Sequence, residues 1–268
     1  MSARAAVLVA ALAALSGCAH PGGLAARPAD PVALRKQVAA TLLTQHAWAA
    51  ATEPLRTLEA ERPRDADVHV MLGACYREQG EYDQAEQQYR TALRLDGKRA
   101  DAWGGLGLTR ELRGDPGDGP LDDLRKAIAL RPDVAAHHNN LGFALYLRGR
   151  DLDAVEAYRK GLARDPGAAR LRNNLGFAYG RLGQWNLAKR EFERGGTKAE
   201  ADNNLGYVYE KAGDLDAACE RYREAAAAAP APAAVQANLT RACGALAAQQ
   251  AAAAAAPSER TSTGRKSP

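Results

Sequence analysis

The sequence predicts an all-α protein, a solenoid of about six stacked helix pairs closed by one further helix. One phrase occurs three times, as Asn139-Asn140-Leu141-Gly142, Asn173-Asn174-Leu175-Gly176 and Asn203-Asn204-Leu205-Gly206, with starts 34 and then 30 residues apart. Each copy is followed by an aromatic residue, Phe143, Phe177 or Tyr207. A period of this size marks stacked copies of one supersecondary unit rather than a single globular core. No stretch alternates apolar and polar residues as a half-buried strand does.

Ahead of the repeats, residues 1–17 read as an export signal. Arg4 supplies a positive start, and Ala5 to Leu15 form an apolar run of 11 residues, too short to span a bilayer and suited to a signal core. The run ends in Leu15, Ser16, Gly17 and Cys18, which resembles the lipobox of bacterial lipoproteins. The resemblance implies cleavage before Cys18, a diacylglycerol on its sulfur and an acylated new N-terminus; a plain cleaved signal is the alternative. Three acyl chains would anchor the chain stably, because each buried CH₂ contributes about 0.8 kcal/mol. Ala19, rather than an aspartate, follows the cysteine, and by the same resemblance this implies the periplasmic face of the outer membrane. Losing Arg4 with the signal lowers the formal charge from +4 to +3. Residues 18–31, with Pro21, Gly22, Gly23 and Pro28, read as a flexible linker.

The helix pairs follow in order. Unit one, 32–65, is degenerate: Val38, Leu42, Trp48, Ala51, Leu55, Leu58 and Pro63 take core or turn positions, and Ala39 stands where later units have glycine. Unit two, 66–99, is the cleanest, with Leu72, Gly73, Tyr76, Gly80, Ala85, Tyr89 and Ala92. Unit three, 100–134, has Trp103, Leu106 and Gly107, then an enlarged turn from Gly114 to Pro120 that delays Ala127 and Pro132 by one residue. Unit four, 135–168, carries His138, Leu141, Gly142, Gly149, Ala154, Tyr158 and Pro166. Unit five, 169–198, matches through Phe192 and then stops short at Gly195 and Gly196, which predicts a hinge or an altered superhelical angle. Unit six, 199–232, restores the pattern from Leu205 to Pro230.

Positions 4, 7, 8 and 11 of each unit share a helical stripe, and small residues at 8 and 20 let paired helices approach closely. This pattern resembles the tetratricopeptide repeat, a 34-residue pair of antiparallel helices, and the resemblance covers nearly the whole chain. A helix over 233–250, with Leu239 and Leu246, reads as the cap such arrays need. Residues 251–268 read as an Ala-rich and then disordered tail, whose Arg260, Arg265 and Lys266 against Glu259 leave it +2.

Chemistry is largely excluded. The repeats consume the chain, and no nucleophile–base set or phosphate-binding loop stands out, so no enzyme, no cofactor and no small-molecule substrate is expected. Charged residues, 25% of the chain, are interspersed in sign, which argues against nucleic acid as a partner. The cysteines Cys18, Cys75, Cys219 and Cys243 form no CxxC pair, so no metal is expected. Cys75 reads as a small apolar residue. For Cys219 and Cys243, on consecutive helices, a disulfide is the less favoured of two readings. His138 reads as a core residue and His137 as a solvated one; Asp115 and Asp118 read as turn residues, because the spacing of a calcium loop is absent. Gly104, Gly105 and Gly107 read as packing glycines.

The working surface is expected on the concave side. Positions 2, 5, 6, 9 and 13 share a helical face, which in units four to six holds Asn139, Asn140 and Phe143; Arg170, Asn173, Asn174, Phe177 and Arg181; then Glu200, Asn203, Asn204, Tyr207 and Lys211. Stacked asparagines would form a ladder whose carboxamides both donate and accept, which suits the backbone of an extended peptide. The aromatics would add apolar contact, and Arg170, Arg181 and Lys211 would favour acidic groups. The competing reading is that the asparagines only bond neighbouring helices. The carboxylate-clamp pattern of chaperone-binding members of the family is not matched. The lipobox-plus-repeats layout is similar to the lipoproteins of pilus assembly, the tight-adherence (Flp) family above all and type IV pilotins more loosely. That resemblance implies a lipid-anchored scaffold for protein or peptide partners in an envelope machine. The alternatives are a general scaffold for cell-wall or lipopolysaccharide enzymes and, were the signal spurious, a cytoplasmic adaptor.

Overall fold

A computed structural model describes residues 30–227 and 232–255. The lipobox with Cys18, residues 18–29 of the linker, Pro230 and the chain from residue 256 onward lie outside the described residues. Those described form thirteen helices and no strand: α1 (Pro31–Thr44), α2 (Trp48–Glu61), α3 (Ala66–Glu78), α4 (Tyr82–Leu95), α5 (Ala100–Arg113), α6 (Gly119–Leu130), α7 (Ala135–Leu147), α8 (Asp151–Leu162), α9 (Ala169–Arg181), α10 (Trp185–Gly195), α11 (Lys198–Lys211), α12 (Leu215–Ala226) and α13 (Ala233–Ala255). None of the described helices is long and apolar enough to cross a membrane.

Local chemistry starts and stops these helices. Asp30, Asp65 and Asp214 cap α1, α3 and α12 through their side chains, and Thr197 with Glu200 forms a capping box on α11. The turns inside the pairs place Gly80, Gly114, Gly149, Gly183 and Gly213 at positive φ, where a Cβ would be strained; in the degenerate first unit His46 occupies that region instead.

Within each pair the two helices pack against each other, and the odd-numbered helices also touch one another in a row while the even-numbered ones do not. A layer whose members touch is the shorter one, so the stack curves toward the odd-numbered helices, which line its concave side. The spacing inside the pairs is set by one contact. A Cβ added to Gly73, Gly142, Gly176 or Gly206 would stand 2.9, 2.6, 2.5 or 2.9 Å from the ring of Tyr89, Tyr158, Phe192 or Tyr222. All four rings are almost fully buried. In unit three, Pro120 and Leu124 take the ring's place against Gly107. Gly104 and Gly105 are packing glycines as expected, one against His137 and the other against Tyr89.

Ion pairs tie neighbouring units together. Arg148 donates to both oxygens of Glu111, at 2.6 Å for the shortest bond, and to Asp118 at 3.1 Å, while Arg241 on α13 holds Glu210 on α11 at 2.7 Å. In the enlarged turn, hydrogen bonds from Arg113 and Arg110 hold the Asp115 carboxyl at about 2. The stabilisation from this depressed carboxyl is complete above its ordinary value near 3.8 and fades as pH falls toward about 2.

Several expectations are corrected. Val38 is 46% exposed, because among the described residues α1 packs only against α2 and α3. His137 is only 3% exposed: Gly104 opens space for the ring, and burial lowers its pKa. Cys219 and Cys243 form a disulfide that staples α13 to α12, beside the packing of Leu239 and Ala242 on Tyr222. The cap helix continues past Gln250 to Ala255, since alanine has the strongest helix propensity. Cys75 is a buried free thiol, raised by burial as an apolar packing residue should be.

Gly176→Ala is expected to destabilise the array by about 1–2 kcal/mol in urea unfolding, because overpacking against Phe192 outweighs the gain in helix propensity. Replacing both Cys219 and Cys243 by serine should lower the unfolding free energy of the cap by about 3 kcal/mol, measured against the oxidised chain, since the bridge closes a loop of roughly this length.

Candidate interaction groove

Three consecutive concave helices, α7, α9 and α11, carry Phe143, Phe177 and Tyr207 at the same position of their units. Helical periodicity adds Tyr146, one turn beyond Phe143 on the same face. Together with Tyr158 and Asn174 these residues line a cleft of about 320 Å³. Phe177 meets Tyr207 edge to face at 5.9 Å between centroids and Phe192 at 5.0 Å, so these three rings form a connected aromatic cluster in the floor. Burial pushes the phenols of Tyr146 and Tyr158 above their ordinary value, so both stay neutral and able to donate.

A second cleft of about 450 Å³ adjoins the first and shares Tyr146 and Tyr207 as walls. Gly180, Arg181, Gly183, Trp185, Val208, Lys211 and Ala212 complete its lining. The Arg181 guanidinium stands 4.3 Å from the centre of the Tyr146 ring, donates to the Tyr146 carbonyl at 2.7 Å and pairs with Asp151 at 3.3 Å. Lys211 reaches over the Tyr207 ring at 5.4 Å and makes no ion pair among the described residues. Trp185 is braced by stacking on Tyr209, 4.8 Å away. No group of three or more His, Cys, Asp or Glu side chains among the described residues is placed to hold a metal ion.

The asparagines divide between two tasks. Asn174 donates to Asn139 at 2.8 Å, and Asn238 on the cap donates to Asn203 at 3.0 Å; both rungs span 35 residues. The equivalent rung between Asn173 and Asn204 would span only 31 residues, and it is absent. Instead the Asn173 carbonyl oxygen is buried without a partner and lies against Gly195, where a Cβ would stand 2.5 Å from it. Shortening unit five therefore breaks the ladder. Asn139, Asn173 and Asn203 face neighbouring helices rather than open space; Asn174 both bonds Asn139 and lines the aromatic cleft. Asn140 and Asn204 are half-buried and have no side-chain hydrogen bond, and Arg170 is exposed outside both clefts.

The sequence expectation therefore includes Phe143, Asn174, Phe177, Arg181, Tyr207 and Lys211 of the two clefts and misses Tyr146, Trp185 and Asn238. Tyr146 was signalled by its spacing from Phe143, and Asn238 by its distance of 35 residues from Asn203.

Three stretches, residues 66–98, 121–169 and 199–232, match family models described as tetratricopeptide repeat. The fold is a tetratricopeptide-repeat solenoid. Among solved repeat structures, the type IV pilus biogenesis factor PilW superposes with a TM-score of 0.64 at 18% identity, over 78% of this chain and 98% of that one. The pilF protein of Pseudomonas aeruginosa gives 0.57 at 19% identity, over 76% and 95% of the two chains. A chain of the APC/C hetero-tetramer Cut9-Hcn1 gives 0.64 at 20% identity; the match covers 79% of this chain and 42% of the other. Among curated proteins none matches the sequence. Arrays of tetratricopeptide repeats bind proteins or peptides, so the concave clefts lie on the surface where such a scaffold would meet a partner.

Asn139→Ala is expected to cost about 1–3 kcal/mol of stability, because it removes the acceptor for a partly buried Asn174 amide. Asn140→Ala should stay within about 0.5 kcal/mol. Paired urea titrations followed by circular dichroism read both, and equal losses would contradict this division of roles.

Proposed function

We propose that this chain is a non-enzymatic adaptor, held by lipid on Cys18 at the periplasmic face of the outer membrane, whose groove takes an extended protein segment of an envelope machine such as a pilus or secretion apparatus. The observation that carries the binding role is the aromatic lining of one concave cleft by Phe143, Tyr146, Phe177 and Tyr207, partly open to solvent across three units. Isolated exposed aromatics need no explanation, but a concave row with cations at its edge offers what a partner's apolar and acidic side chains require.

Two features support export. Leu15 to Cys18 resemble a lipobox directly after an apolar run, and Cys219 and Cys243 form a bridge of the kind that persists in oxidising compartments. The pilus assignment rests on the lipobox-plus-repeats layout and on the fold shared with PilW, which is described as a pilus biogenesis factor. The tight-adherence machine is the specific member of that class that the sequence resemblance favours. A scaffold for cell-wall or lipopolysaccharide enzymes would use the same groove with a different partner.

Metabolic labelling of cells with a palmitate analogue should mark the wild-type chain and leave Cys18→Ala unmarked; an unlabelled wild-type chain in the cytosol would end the anchored reading. A photo-crosslinking amino acid in place of Phe177 should trap an envelope protein, whereas the same probe in place of Arg125, on the outer layer, should trap none. Equal trapping at both positions would argue against the groove.

A further inference from the structure

The two clefts share walls but differ in chemistry. The first is lined by Phe143, Tyr146, Tyr158, Phe177 and Tyr207, with Asn174 as its one carboxamide. The second shares Tyr146 and Tyr207 and adds Trp185 with the two cations Arg181 and Lys211. Of these cations, Arg181 is shared with Asp151, while Lys211 has no carboxylate partner among the described residues. The second cleft thus carries an excess of positive charge beside an aromatic surface. Arg181 is also pre-positioned: its contacts with the Tyr146 ring and carbonyl fix the guanidinium before anything binds, so little side-chain freedom is lost on binding. A guanidinium has five donors, and those not engaged by Tyr146 and Asp151 are left for an incoming anion.

Resting on the groove reading above, we infer that this site selects a peptide in which an apolar or aromatic side chain enters the cleft at Phe177 and a carboxylate enters the cleft between Arg181 and Lys211. In an extended segment, side chains that face the same way are two residues apart, roughly 7 Å, which suits neighbouring clefts with common walls. The carboxylate is that of an acidic residue two positions from the apolar one, or of the chain terminus at that place. The asparagine ladder does not supply this selectivity, because its rungs are spent on holding helices together. The cation-bearing cleft lies at the junction of units five and six, between the turn after α9 and the face of α11.

Fluorescence anisotropy of the full-length protein with fluorescein-labelled decapeptides tests this. The reference probe carries one phenylalanine and, two residues on, one glutamate in a Gly/Ser background with an amidated end. Variants replace the glutamate by glutamine or lysine, or end the chain at that place with a free carboxylate. The glutamate probe or the free-acid probe should bind at least ten-fold more tightly than the glutamine and lysine probes, with an advantage that shrinks as salt rises. The better of the two identifies the source of the carboxylate. Lys211→Ala, at an exposed site that should leave the fold intact, should remove most of that advantage, and Arg181→Gln should remove the rest. Equal binding of glutamate, glutamine and free-acid probes overturns the charge selectivity while leaving the groove reading standing. Binding of none of the probes, by a chain with a native helical spectrum, overturns both.

Discussion

In four of the helix pairs, a ring from the outer helix lies where any side chain larger than hydrogen on the inner helix would stand: Tyr89 on Gly73, Tyr158 on Gly142, Phe192 on Gly176 and Tyr222 on Gly206. This contact does two things at once. It buries four large rings almost completely, and it sets how closely the helices of a pair approach. The next pair must then stack on a surface whose shape that distance has determined, so a local packing rule propagates along the chain. Gly105 extends the same rule between units, meeting the Tyr89 ring from the following pair.

The irregular places show what the rule leaves over. In unit three the ring is replaced by Leu124, and the turn beside it is held by Arg110 and Arg113 around Asp115. In unit five the outer helix ends at Gly195, the backbone is extended at Gly196, and α11 restarts on its own Thr197–Glu200 capping box. Phe192 still packs on Gly176, so the pair itself is intact; the register to the following unit is what changes. One asparagine rung is lost; the cleft bordered by Arg181, Trp185 and Lys211 lies toward the C-terminal ends of α9 and α11 at the same junction of units. Regular packing supplies the scaffold, and the side chains that α7, α9 and α11 turn to the concave side supply the local chemistry of the groove.

Much of the fold was legible in particular residues. The Leu-Gly pairs at 72–73, 106–107, 141–142, 175–176 and 205–206 mark the inner helices, and the enlarged turn at 114–120 and the shortening at Gly195 were both visible as departures from the period. The groove was legible in part: Phe143, Phe177, Tyr207, Arg181 and Lys211 follow from helical geometry alone. The asparagines were harder to read, because adjacent residues of one phrase meet different neighbours. His137 was misread for a similar reason, since its burial depends on Gly104 of another unit.

What the sequence by itself determined is the repeating unit, since period, glycine spacing and helix caps are local and act within some 34 residues. Only the tertiary structure decided which carboxamides bond one another, that Cys219 reaches Cys243, and that Tyr146 and Tyr207 wall two different clefts. Those outcomes depend on the offset between successive units. That offset comes from packing summed across whole helices, and no short pattern of residues records it.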